Sequence, residues 1–501
     1  MVLPLLFATV IDLDPDRLVR VEQPNHAEAL ARSSSGAVLL EPPVDPSVRW
    51  SWESVPRVDE WPATEALDAM NVWRWHDEGA RGRGVKVAVF DLQWFDGRYP
   101  PDTLGEVTTH DCWLHPSCEL PIDTLRPTFT FERGSHGVAC AEIVRDVAPE
   151  VELHLVRVNS RTMLENAVDW AIRNDIDVIS MSLSFYNVSF FDGSGPIGDL
   201  MDELAAHDIL MVTSAGNTAL GHWQGGYIDA DGDGRMDFAG DNGLWLQHRE
   251  GDDRTYVTWD QYGICGSTDL DVVLYDERGL EVGRSSDVQL PIDPDAGGSC
   301  QPIERLSGAA PRDGRYRLEV HHTRGSTTDL LVDVLSPGSA VELAEPRSSI
   351  ADPGMHPAVF TVGAVDAADY LRADVRPYSS QGPSLTGVGK PDIAGPDGLT
   401  TRAYGTRGFT GTSASTPAVV GLIAVVMSDE PGLSPRDAAR RLQGWAWGDG
   451  LHLQREDPRW GSGKARLPVR GQDGSCGRRP LLLTLWMLPL AWLIRRRRHV
   501  T

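Results

Sequence analysis

From Val85 to Phe90 the chain is apolar apart from one lysine, and similar short apolar runs recur at 151–158, 176–183 and 209–214. Runs of that length, bounded by polar turns, suit strands buried on both faces. Between them 163–173 and 198–206 place apolar residues at helical spacing, and a further helix is expected after His136. Strands alternating with helices predict an α/β fold, a parallel sheet with helices on both faces. The pattern changes near Gly221, where Gly, Asp and Trp dominate. Short β-rich runs at 256–259, 270–275, 316–320 and 330–335 then alternate with turn residues, which predicts a β-sandwich inserted into the first pattern. The α/β pattern resumes at 358–365, a helix is expected over about 415–427, and a Trp- and Gly-rich stretch follows near 444–463.

The two ends read differently. Cys476 is followed by Gly477, Arg478 and Arg479, then by an uncharged stretch over 480–494, then by Arg495 to Arg498. That stretch predicts a C-terminal hydrophobic helix; it is shorter than the roughly 20 residues that span a bilayer, but the arginine block is what a cytoplasmic-side anchor carries. Residues 1–11 are apolar yet lack a positive first region, so they make a poor signal peptide, and 12–60 read as a leader or short pro-segment.

Composition narrows the function classes. A chain of 501 residues with 41% hydrophobic and 24% charged residues has ordinary globular usage and room for a few domains. Its formal charge is −26, and because 476–501 hold six Arg and no acid, residues 1–475 carry 40 basic against 72 acidic groups. Such a body repels phosphate backbones, which excludes nucleic acid as the main partner. Six cysteines fit an exported protein with a few bridges, the sequence-local pairs Cys112–Cys118 and Cys265–Cys300 being the ones expected.

Three segments carry candidate chemistry: Val87 to Asp91, Gly134 to Ala141 around His136, and Gly411 to Pro417 around Ser413. Asp91 closes a buried strand, His136 opens a helix, and Ser413 precedes one with Pro417 in its first turn. A hydroxyl is a weak nucleophile until an imidazole accepts its proton, and a carboxylate must fix the tautomer of that imidazole. In a fourth segment, Val212 to Asn217, an amide ends a strand; with the Ser413 N–H it suits an oxyanion hole. A lone Asp at a strand end, a lone His at a helix start or a Gly-Thr-Ser turn is more often a cap or a packing residue.

Taken together, in the order Asp, His, Asn, Ser, these segments resemble the subtilisin-like serine proteases. Val178 to Ser184, His356 to Val365, Tyr378 to Pro383 and Lys390 to Ile393 are similar to further stretches of that family. The resemblance covers roughly 61–218 and 350–445. It implies that Asp91 orients, His136 acts as general base and acid, Ser413 is the nucleophile and Asn217 completes the oxyanion hole. It further implies that Ser182, Leu183 and Ser184 line the edge that pairs with the substrate backbone. Three departures stand out: Leu92 and Gln93 follow Asp91 where the family has a small residue and Gly, Ser184 replaces a Gly, and Val138 replaces a Thr. Asp96 is a rival for the orienting role.

The insert resembles the pre-peptidase C-terminal β-sandwich modules, and the tail resembles the MYXO-CTERM kind of sorting tag. The expected domains are a leader (1–60), the catalytic domain in two parts (61–218 and 350–455), the insert (219–349), a linker (456–475) and an anchor (476–501). The loop Asp229, Asp231, Asp233, Asp237 alternates carboxylates around glycines and suits Ca²⁺ or a solvated acidic turn, although Gly240 stands where an EF-hand has Glu. No phosphate-cradling loop or zinc spacing is present, and no organic cofactor is expected. The resulting expectation is a monomeric, envelope-associated serine endopeptidase acting on protein or peptide substrates, anchored in the membrane through its C-terminal segment or released by processing. The alternative is a catalytically degenerate cell-surface binding protein on the same scaffold.

Overall fold

The computed structural model describes residues 63–469, apart from 95–103, 114, 123–134, 187, 249–253, 266–267, 290–299, 309–311 and 449–456. The expected leader, Asp96, and the hydrophobic tail with Cys476 lie outside the described residues.

The first half of the α/β pattern gives strands β1 (Lys86–Asp91), β2 (Thr108–Asp111), β3 (Glu152–Arg157), β4 (Val178–Met181) and β5 (Leu210–Ser214). Helices α1 (Ala66–Ala69), α2 (Trp73–Asp77), α3 (His136–Val147), α4 (Arg161–Arg173) and α5 (Gly195–Ala206) accompany them. The insert supplies β6 (His222–Gly226), β7 (Leu244–His248), β8 (Thr255–Trp259), β9 (Thr268–Asp276), β10 (Glu281–Ser285), β11 (Ile303–Leu306), β12 (Gly314–Gly325), β13 (Leu331–Leu335) and β14 (Ala340–Val341). After it come β15 (Phe360–Asp366), β16 (Ile393–Asp397), β17 (Leu399–Thr401), β18 (Gly405–Phe409), α6 (Thr412–Asp429) and α7 (Pro435–Trp445).

Seven strands form one sheet in the order β16-β15-β5-β4-β1-β3-β2, all paired in parallel. Strand β1 shows why both faces must be apolar: Val87 and Val89 join the core beneath α3 and α6, whereas Ala88 and Phe90 join the core beneath α4 and α5. Because the strands run parallel, the ends of β1, β4 and β5 open on the same edge, where side chains from distant segments converge.

The insert folds as two antiparallel sheets, β10-β9-β12-β7-β14 and β11-β8-β13-β6. Leu246, Val257, Trp259, Leu318 and Val332 fill the space between them. A separate cluster joins this sandwich to the α/β body: Tyr256 and Leu335 pack with Phe191, Ala215, Ile350 and Met355. There the rings of Tyr186 and Tyr256 stack at 5.2 Å. Disulfides link Cys112 to Cys118 and Cys265 to Cys300, and Cys140 is a buried free thiol. Among the described residues only α6 is long and apolar enough to cross a membrane, and it is the buried central helix of the body.

Candidate active site

Asp91 ends β1 with its side chain wholly buried. Its Oδ2 accepts from His136 Nδ1 at 2.6 Å, and its Oδ1 accepts the Gln93 N–H at 3.0 Å. Trp94 donates its indole N–H to the Asp91 carbonyl at 2.9 Å. The unusual residues after Asp91 therefore hold its carboxylate in place through the main chain. With its Nδ1 proton bound to Asp91, the His136 ring keeps Nε2 as the acceptor.

The approach of α3 to β1 depends on Gly137. A Cβ there would lie 2.8 Å from Asp91 Cβ and 3.0 Å from the Gln93 carbonyl. Phe409, at the end of β18, packs edge-on against the His136 ring with centroids 5.4 Å apart.

Ser413 sits in the first turn of α6, which begins at Thr412; the expected start near 415 is corrected. Pro417 is consequently the sixth helical residue and not part of the first turn. It fits because its missing N–H is the one that would bond to the Ser413 carbonyl. That carbonyl accepts instead from Ser182 Oγ at 3.3 Å and from the Cys140 thiol at 3.6 Å. Burial, then the nearby Asp91 charge, push the Cys140 pKa well up, so the thiol stays protonated and able to donate. From Gly411 to Met427 every residue is buried except Ser413.

Asn217 lies beyond β5 with its side chain exposed. Its Oδ1 accepts from the Thr412 N–H at 3.0 Å and from Thr412 Oγ1 at 3.1 Å, which fixes the amide so that Nδ2 is the outward donor. Gly411 has φ of +107°, and a Cβ there would come within 2.9 Å of Asn217 Nδ2. Gly411 thus leaves the amide room while Thr412 holds its oxygen.

Asp91, His136, Ser413 and Asn217 are therefore gathered at the strand edge. Ser182 is there too, but its hydroxyl is engaged with Ser413; Leu183 packs on the α4–α5 core, and Ser184 leads into Phe185, whose N–H bonds to the Asp352 carbonyl at 2.9 Å. Asp91, His136 and Cys140 bring ligand atoms within 4.8 Å of one another. The Asp91–His136 bond and the protonated thiol account for those atoms without a cation. In the insert, Asp229, Asp231 and Asp233 also converge within 4.8 Å. Asp229 accepts the N–H groups of Gly232 and Gly234 at 2.8 and 3.0 Å, while Asp237 is turned to the Ala230 N–H at 2.8 Å. These donors are all oxygen, as a hard cation requires, but part of their capacity is used by the loop itself. The sequence reading passed over Cys140, although it stands four residues after His136 and so on the same helical face.

Fold and site together define an α/β domain whose parallel sheet carries at one edge a His136 supported by Asp91 and a half-buried Ser413 at the start of α6. Residues 132–236 and 334–461 match the model of the Subtilase family. The break in the match falls within the inserted sandwich, and Asp91 precedes its start. The chain is similar to the membrane-bound transcription factor site-1 protease of Rattus norvegicus, 27% identical over 255 residues, covering 49% of this chain and 21% of that protein. It is also similar to serine protease AprX of Bacillus subtilis (strain 168), 33% identical over 149 residues, covering 25% of this chain and 32% of that protein. The chain thus spans between a fifth and a third of the length of these relatives. Its fold is shared with the CspB protease of Clostridium perfringens, at a TM-score of 0.54 and 16% identity over 80% of this chain and 97% of that one.

Proposed function

We propose that this protein is a serine endopeptidase in which Ser413 is acylated by peptide substrates. Ser413 Oγ attacks the scissile carbonyl as His136 Nε2 takes its proton, and Asp91 steadies the resulting imidazolium. The oxyanion is held by Asn217 Nδ2 and the Ser413 N–H. His136 then protonates the departing amine, and a water molecule activated by the same imidazole releases the acyl group. The observation that carries the reading is that Ser413 alone faces outward along a helix otherwise buried from Gly411 to Met427. A packing serine has no reason to be the exception, and a binding scaffold has no need of an imidazole fixed by a buried carboxylate.

The test is fluorophosphonate labelling of the folded chain with the adduct located by mass spectrometry. Label is expected on Ser413, and is expected to be absent in Ser413→Ala and His136→Ala. An unlabelled, folded wild type overturns the reading. In Asn217→Ala turnover is expected to fall about 10²- to 10³-fold. Calcium remains the ligand proposed for the Asp229–Asp233 carboxylates, which a rise in Tm on adding calcium, abolished in Asp231→Asn, would support and an unchanged Tm would refute. Export and envelope anchoring through 476–501 belong to the same proposal, tested by fractionating cells that express the chain with and without that segment.

A further inference from the structure

Asp397 closes β16 and is fully buried. A buried carboxylate is costly unless its oxygens are matched by donors. Asp397 Oδ1 accepts the Gly411 N–H at 2.7 Å, and Oδ2 accepts from Arg376 Nε at 2.6 Å and from the Tyr378 hydroxyl. Burial, followed by the Asp397 charge, raises the Tyr378 pKa, which keeps the phenol a donor. The guanidinium of Arg376 is held in turn by Asp366 Oδ2 at 3.2 Å from Nη1.

These contacts reach both segments that carry the expected oxyanion donors. Gly411 stands two residues before Ser413, and its α-carbon hydrogen faces the Asn217 amide, where a Cβ would come within 2.9 Å. Tyr378 accepts the Ala219 N–H on its carbonyl at 3.1 Å, two residues after Asn217. The main chain on either side is thus tied to one carboxylate that is itself out of reach of substrate.

We infer that Asp397, with Tyr378 and Arg376 as its donors, is the positioning residue that sets the Gly411–Ser413 turn against Asn217. This inference rests on the protease reading above. Asp397→Asn keeps one acceptor for Gly411 but presents an amide where an oxygen met two donors, so the turn shifts. Tyr378→Phe removes one donor and leaves the Gly411 bond, so its effect is smaller.

The experiment compares the full chain with Asp397→Asn, Tyr378→Phe, Asn217→Ala and the double variant Asp397→Asn/Asn217→Ala. For Asp397→Asn, kcat is expected to fall about 10- to 100-fold, part of what a lost oxyanion donor costs, with KM within about threefold. In the Asn217→Ala background the same substitution is expected to cost less than about threefold, because the two act through one oxyanion site. A folded Asp397→Asn with wild-type kcat, or a full loss repeated in the Asn217→Ala background, overturns the inference. Should Asp397→Asn not fold, Tyr378→Phe carries the comparison, a smaller fall in kcat that vanishes beside Asn217→Ala being expected. Amide exchange of 411–413, which needs no activity, separates the two proposals: faster exchange in Tyr378→Phe supports the positioning role even if Ser413 takes no label, and unchanged exchange refutes it.

Discussion

Gly137 shows how one absent methyl sets the site. It lets α3 approach β1 closely enough for His136 Nδ1 to reach Asp91 at 2.6 Å. Gly137→Ala forces a shift of backbone at the Gln93 carbonyl, where the Cβ would stand at 3.0 Å. A stability loss of about 1–3 kcal/mol in urea unfolding is expected, together with a fall in Ser413 labelling rate larger than the loss of folded protein explains. Asp91→Asn tests the neighbouring bond. The amide preserves the shape but presents a donor to Nδ1, which turns the imidazole to the wrong tautomer, and a fall of about 10⁴ in kcat is expected. The resemblance that named these residues was legible because each is a distinctive side chain in a short motif. Cys140, Asp397 and Phe409 were not, because a thiol, a carboxylate and a ring gain their roles only from partners far away in sequence.

At the scale of elements, the apolar runs located most of the sheet, since a strand buried on both faces must be apolar throughout. Strand β2 escaped because its four residues, Thr108–Asp111, are polar. It is one of the two edge strands of the sheet, and its Asp111 is matched by Arg157 Nη1 at 2.7 Å. Helix α7 also escaped, its buried positions being only Pro435, Ala438, Ala439 and Leu442. The early start of α6 was hidden by Pro417, which a local reading places in a first turn; tertiary partners for the Ser413 carbonyl move it further in. Strand β8 makes a contact no local pattern announces, the Tyr256 ring stacked on Tyr186, two residues beyond Ser184. Tyr256→Leu keeps the apolar filling and removes the stack, worth about 0.5–1.5 kcal/mol. With the segment after Ser184 no longer held by the stack, KM for peptides is expected to rise about two- to tenfold while small fluorophosphonates label at close to the wild-type rate.

Across the whole molecule, Glu142, Glu304 and Asp352 are buried and Asp146 is half-buried. Burial, the largest cause in each case, pushes the carboxyl of Asp146 up to about 6, those of Glu142 and Asp352 to about 7, and that of Glu304 to about 8. In the unfolded chain these groups ionise near pH 4. Between those values the folded state holds protons that the unfolded state releases, so their stabilisation is complete below about pH 4 and is lost as pH rises towards 8. A Tm that declines across that range is expected. Asp352→Asn, which keeps a partner for Ser189, is expected to flatten the decline, and a slope equal to wild type would show that Asp352 carries no such proton.

The sequence by itself determined the strand and helix alternation, the interruption by a β-rich insert, and the four residues at the strand edge. Those follow from local periodicity and from side chains whose chemistry is rare enough to be noticed. Only the tertiary structure decided the strand order, which side of α6 faces water, and which distant groups hold the reactive ones. Asp397 meets Gly411 and Ser182 meets Ser413 because parallel strands bring their ends to one edge, Tyr256 meets Tyr186 because the sandwich packs on the body, and sequence spacing does not encode which of these are neighbours.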